Sequence, residues 1–326
     1  MRMLRDLSLL VLLCGIIVII QSNYVGDLTI YSLENATKRA ELHRAIVENE
    51  PYRGGWVENK VNGANIRILT VYAVEFAGSV TGVSHARLYK FLDMTTILAT
   101  LVLLVLFLKK WFPVEYGLIA VLFLAALMPL TYAFHYFHPW DRPGVLLWLL
   151  FAWAVREDRI GWCALILFVS VLNKFDSVAL PGLYFLAHVS QANWKTVALR
   201  TMGLFILSIG TYAALRIGIP DGVFPRSIAE SIARNLGHLQ KLKITYPPIL
   251  GFALPLILVF IGWRRSDQFS RAAFVFGFLI LIGPLMLTSH FQEIRTQIGV
   301  MVLMLPVALT GLQSVLARTG SANHLK

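Results

Sequence analysis

The chain has 326 residues, of which 57% are hydrophobic and only 14% charged, a balance that excludes an ordinary soluble globular protein. It carries 29 Lys and Arg against 18 Asp and Glu, a formal net charge of +11, but the basic residues are scattered in short loops between apolar runs. Such a pattern sets membrane topology and meets anionic lipid; it does not build the continuous basic surface that a nucleic acid needs.

Charged groups are costly in hydrocarbon, so those present must gather in loops or face an interior cavity. Cys14 and Cys163 both lie inside apolar runs and read as small buried hydrophobes rather than as a disulfide or zinc ligands.

In chain order, Arg2 and Arg5 precede a charge-free run over residues 7–20. No small-x-small cleavage site follows Ile20, so the run reads as a retained first helix that starts in the cytoplasm. Residues 22–86 form a long polar stretch, the first outer loop. Within it, 28–47 has helical apolar spacing (Leu28, Tyr31, Leu33, Leu42, Ile46) with Glu34, Lys38, Arg39, Glu41 and Arg44 between. That predicts an amphipathic helix lying on the membrane surface. Residues 51–63 read as loop. Residues 66–83 are apolar enough to cross, yet Arg67, Glu75 and several Gly and Ser favour a second interfacial helix.

Apolar runs follow at 88–108, 114–134, 144–155, 160–172, 177–189, 201–217, 249–262, 272–287 and 298–317. The runs at 144–155, 160–172 and 177–189 fall short of the ~20 residues a full span uses, which fits helices whose ends open into a cavity. A second outer loop, 218–247, has Ile228, Ile232, Leu236, Leu239 and Leu242 at helical spacing beside Arg226, Arg234, Lys241 and Lys243. This predicts a basic amphipathic helix that either gathers an anionic headgroup or lies against the bilayer.

With the N-terminus inside and 66–83 not crossing, Lys109 and Lys110, Arg156 and Arg159, Lys195 and Arg200, Arg264, Arg265 and Arg271, and Arg318 all fall on the cytoplasmic side. If 66–83 crossed, every later basic loop would lie outside. The expectation is therefore an all-α, polytopic membrane protein, one domain over 1–326 with ten spans and both termini cytoplasmic. The outer side then does the chemistry or recognition, and the inner side anchors.

Three ionisable knots land on that outer side, together with Asp27: residues 135–143, 173–176 and 290–295. A carboxylate at the edge of a low-dielectric region gains basicity and suits a general base. Asp27 also suits the N-cap of a helix from Leu28, and the two roles are compatible. In the first knot, which opens on His135, Asp141 can orient the His138 imidazole or hold a cation, and Arg142 can clamp a phosphate bidentately. Equally, Asp141 and Arg142 charge a span start, with Pro143 in its first turn and Trp140 as an interfacial anchor. In the second knot, Lys174 is a natural phosphate contact or else an internal partner of Asp176. In the third, beside His290, Glu293 and Arg295 can bond a sugar hydroxyl and a phosphate, or stand as loop charges. No GxxxxGK[ST], HExxH or GxSxG is present.

Taken together, these features resemble the bacterial C-type (GT-C) glycosyltransferases, multi-spanning enzymes that take a sugar from a polyprenyl-phosphate donor. The resemblance rests on a first span followed by a long outer loop with an early acid, Asp27, and two surface helices. It rests also on Asn65 to Leu69, similar to the motif that often precedes the second membrane helix, and on short charged motifs at 140–143, 173–176 and 293–295. It implies transfer to a glycan, lipid or protein acceptor at the outer face of a bacterial inner (plasma) membrane. Asp27 would be the base, and Arg142, Lys174 and Arg295 would engage the lipid phosphate. His138, Asp141, Asp176, His290 and Glu293 would support them. No cofactor is required by the sequence, although Asp27, Asp141 and Glu293 can hold a divalent cation if they converge. The rival readings are a lipid-linked saccharide polymerase or ligase, and a non-enzymatic flippase or accessory subunit. A transporter should show internal repeats and polar groups at mid-span.

Overall fold

The computed structural model describes residues 2–25, 33–50, 66–128, 138–190, 193–219, 228–240, 242–280 and 294–323. Among them every regular element is helical. The α-helices are α1 (Arg2–Val25), α2 (Leu33–Val47), α3 (Leu69–Thr81), α4 (His85–Leu108), α5 (Val114–Leu127), α6 (Asp141–Arg156), α7 (Ile160–Asn173), α8 (Pro181–His188), α9 (Trp194–Gly218), α10 (Ile228–Leu239), α11 (Leu242–Gly262), α12 (Gln268–Ile280) and α13 (Ile294–Asn323).

Among the described residues, three segments are long and apolar enough to cross a membrane: His85–Leu108, Trp194–Gly218 and Gln297–Ala317. Asp6–Gln21, Val114–Leu127, Ile160–Asn173 and Gln268–Ile280 are shorter apolar helices. The described residues are thus all helical or connecting, and those three long apolar segments are fewer than the ten spans expected. Several helices present apolar side chains outward, such as Leu12, Ile16 and Ile20 on α1, Ile206 and Ile217 on α9, and Phe260 on α11. Such faces suit lipid rather than water.

The core sits where α1, α4, α5, α6, α7, α8 and α13 meet. Cys14, Leu101, Leu104, Val121, Leu124, Leu149, Ala152, Leu167 and Met301 are all buried there. Both cysteines are buried and unpaired with each other, as their apolar context predicted. One seam is unusually close. A methyl added at Gly262 would overlap the backbone of Val307 and Gly311, and one at Gly311 would overlap the backbone of Leu258. Small residues let α11 and α13 approach to backbone contact, the usual device for packing helices in lipid.

Within 66–83 the structure forms α3, whose 13 residues reach only ~20 Å, less than a bilayer core. It ends at Gly82, whose φ of 69° and N–H bond to Gly78 O form a left-handed stop. α4 then begins at His85, so α3 and α4 make a tight hairpin. α11 starts at Leu242, earlier than the apolar run at 249–262 indicated, and passes through Pro247 and Pro248. Those prolines fall in its second turn, so the helix lacks two of the amide donors that would have met carbonyls of its first turn.

A second, smaller apolar cluster decides where the site forms. Leu42, Ala45 and Ile46 of α2 and Val71 of α3 pack on Trp140, which is fully buried. Through it, the helices of the first long loop are seated on the 138–143 knot.

Candidate functional site

α6 opens with two buried charges, Asp141 at 3% and Arg142 at 1% exposure. The end of α7 is tied to this start, because Asn173 Nδ2 donates to Trp140 O at 2.8 Å. Gly144 leaves the room: a Cβ there would stand 3.3 Å from that same Nδ2. Lys174 then breaks the helix with an extended backbone, φ −160° and ψ 128°. The break swings its ammonium between two carboxylates, Asp141 at 3.3 Å and Asp176 at 3.0 Å. Arg142 Nη1 donates to Met128 Sδ at 3.5 Å. Trp148 Nε1 donates to Ser177 Oγ at 3.3 Å and fixes the short helical turn Phe175–Ala179 that follows. A cavity of about 20 Å³ adjoins Lys174, lined also by Asp141, Trp148, Asp176 and Gly299. That is room for one water-sized group. Gly299 belongs to α13, so the first turns of α13 face this site.

Arg67, from the segment resembling the motif before the second membrane helix, stacks its guanidinium 4.5 Å over Trp140 and 5.4 Å over Phe175. It therefore joins the first and second knots.

The sequence reading passes over the next member, Asp93, which lies in the apolar run 88–108. It is buried at 3% exposure, and Arg39 Nη2 of α2 approaches its carboxylate at 3.9 Å. Neither carboxylate oxygen of Asp93 accepts a hydrogen bond among the described residues. Arg142 and Asp141 both act on it through their charges. Arg39, Asp93, Arg142, Asp141, Lys174 and Asp176 thus form one chain of alternating charge at one end of an apolar bundle.

Beside Arg39 lies a second group that the sequence reading also missed. His43 Nε2 meets Glu75 Oε2 at 2.8 Å, and its Nδ1 meets the Tyr89 hydroxyl at 2.8 Å. His85 Nε2 reaches the same Glu75 oxygen at 3.2 Å. The two imidazoles stack at 4.2 Å. Burial holds His43 below the usual histidine range against the raising effect of the Glu75 bond, and the His43 bond holds Glu75 below the usual carboxylate range. A cavity of about 350 Å³ opens over the group, lined also by Arg39, Arg44 and Tyr89. Glu75 gave a signal in the sequence as an acid in an apolar stretch; His43, among the polar positions of an amphipathic helix, gave none.

Of the expected site residues, Asp141, Arg142, Lys174 and Asp176 come together. His138 lies next to them, its ring 5.1 Å from that of Trp140. Asp27, His135, His290 and Glu293 fall outside the described residues. Arg295 is in the first turn of α13, and its side chain lies outside the described part.

The opposite end gathers the basic loops. Lys110 pairs with Glu157, Arg156 with Asp267 at 3.7 Å, and Arg200 with Asp158 at 3.3 Å. That end is therefore richer in acids than the expectation of a purely anchoring face allowed. Its pairs are half-exposed, however, and they brace loops.

The chain matches no protein-family model, no curated protein and no solved structure.

Proposed function

We propose that the protein is a membrane glycosyltransferase that moves a sugar from a polyprenyl-phosphate donor to a glycan, lipid or protein acceptor. One observation carries the reading: charges from four separate segments gather at one end of an apolar bundle, those of Arg39, Asp93, Asp141 and Arg142 buried and those of Lys174 and Asp176 partly so. Ionisable groups so placed are expensive to keep, and in membrane proteins they mark substrate sites. In this reading α1, α5, α6, α7, α8, α11 and α12 join the three long apolar segments to make ten spans, the basic loops face the cytoplasm, and the buried charges face outward.

The division of labour follows from chemistry. The acceptor hydroxyl attacks the anomeric carbon while the bond from that carbon to the phosphate oxygen breaks. The hydroxyl proton passes to Asp27 as base, and the electron pair leaves with the phosphate. Lys174 and Arg142 offset the charge of the departing phosphate, with Arg295 as a third cation. Phosphate reaches Lys174 by displacing Asp176, the more exposed of its two partners. Asp141 stays in place and aims the ammonium.

A second reading, movement of a lipid-linked saccharide without chemistry, is favoured by Asp93, an ionisable group within a spanning helix. Transfer of labelled sugar from polyprenyl-phosphate donors separates the two. The transferase reading expects activity in wild type, its loss in Asp27→Asn, and at least a hundredfold loss in Lys174→Met with folding intact. Binding of donor without transfer in wild type would replace it by the transport reading.

A further inference from the structure

Away from the charges assigned to phosphate, His43, Glu75 and His85 have the composition of a metal centre. One ligand atom from each lies within 4.8 Å of the others. They come from three elements, α2, α3 and the start of α4, brought together by the α3–α4 hairpin and the seating of α2 on Trp140.

An ordinary His–Glu pair would account for one imidazole on one carboxylate. Here two imidazole nitrogens aim at a single oxygen, Glu75 Oε2, at 2.8 and 3.2 Å. Bonds of ~2.0–2.2 Å in a tetrahedral shell put ligand atoms ~3.3 Å apart, so the three donors need shifts of only about 1 Å to close on an ion. Two further features are built around the rings. Gly78 makes room for His85: a Cβ there would stand 2.9 Å from Nε2. The Tyr89 hydroxyl sits 2.8 Å from His43 Nδ1 and can accept its N–H, which leaves Nε2 with its lone pair facing inward. Two imidazoles and one carboxylate are a donor set that zinc takes in sites with an open position.

We propose that His43, Glu75 and His85 bind a divalent transition-metal ion of the zinc class, with its remaining position open to the neighbouring cavity. Arg39 and Arg44 line that cavity, so the exchangeable ligand is water or an anion. Tyr89 is a positioning residue for His43.

The test uses the full chain in detergent, stripped by chelator and titrated with Zn2+ alone and, separately, Co2+ alone. Wild type should bind one equivalent of Zn2+ and give the visible bands of low-coordinate Co2+. His85→Gln should weaken binding more than about a hundredfold, and Tyr89→Phe by about ten- to a hundredfold. The His85 side chain is 44% exposed, so its variant should unfold at the wild-type midpoint when metal is absent. Wild type that is folded yet binds no more Zn2+ than His85→Gln overturns the proposal. So does stoichiometric binding that survives His43→Gln with His85→Gln. No sugar donor enters the experiment, so its outcome is separate from that of the transfer assay.

Discussion

At the basic-loop end, Arg200 and Asp158 pair at 3.3 Å with side chains 42% and 51% exposed. At the other end, Lys174 and Asp141 pair at the same 3.3 Å with 14% and 1% exposed. The distance is equal and the physics is not. An exposed pair gains little, because water solvates both partners when they part. A buried pair rarely repays its desolvation, so apolar residues of the same volume would serve folding as well or better. The loop end is therefore explained by structure: its pairs hold turns in place and keep positive charge on one side. Folding alone gives no such account of the buried end, and that is the ground on which the proposed function stands.

Breaking one partner of the buried chain should have the largest effect. Asp93→Leu leaves the Arg39 and Arg142 guanidiniums without that countercharge and should cost ~3–5 kcal/mol, read as a lowered thermal midpoint in detergent. Adding Arg39→Met should restore most of the loss while donor binding and transfer stay impaired. A double variant with full activity would mean that the buried pair serves only folding.

An intermediate effect belongs to Asp267. It caps α12, accepting from Ser270 N at 2.8 Å, and accepts from Trp111 Nε1 at 2.8 Å. Asp267→Ala should cost ~1 kcal/mol. Burial pushes this carboxyl up, but the bonds from Ser270 and Trp111, with Arg156 nearby, together hold it below the usual carboxylate range. Since the folded pKa is depressed, the stabilisation is complete above the unfolded value, ~3.9, and fades as pH falls through the folded one. The midpoint difference between wild type and Asp267→Asn should accordingly shrink below about pH 4 and vanish at lower pH.

The smallest effect is expected at Arg200. Arg200→Gln should leave the thermal midpoint almost unchanged, and half-molar salt should erase any remaining difference. A large, salt-insensitive loss would show that the loop end is not a solvated surface.

Much of this architecture was legible in the sequence. The charged knots announced themselves because Asp141, Arg142, Lys174 and Asp176 stand where apolar runs stop. The α7 boundary fell within a residue of expectation for the same reason. Asp93 stayed hidden because one acid among apolar neighbours barely alters a helix signal, and its partner Arg39 lies far away in sequence on an element whose docking depends on Trp140. His43 and His85 were invisible for a related reason: their meeting depends on a hairpin turn at Gly82 and on space left by Gly78, which only the folded chain displays. The expectation of ten spans rested on a count of apolar runs, with the basic loops deciding direction, and neither signal says much about helix length.

The backbone contact between α11 and α13 bears on traffic through the bilayer. Two helices that touch at Gly262 and Gly311 leave no gap for a hydrocarbon tail, and neither can part from the other without losing that contact over its length. A lipid-linked donor of the kind proposed above would therefore have to come in past another flank. Of the three segments long enough to cross, the one on α9 is the least covered by protein, with 22% of it buried, and so would lose less packing than the other two by yielding.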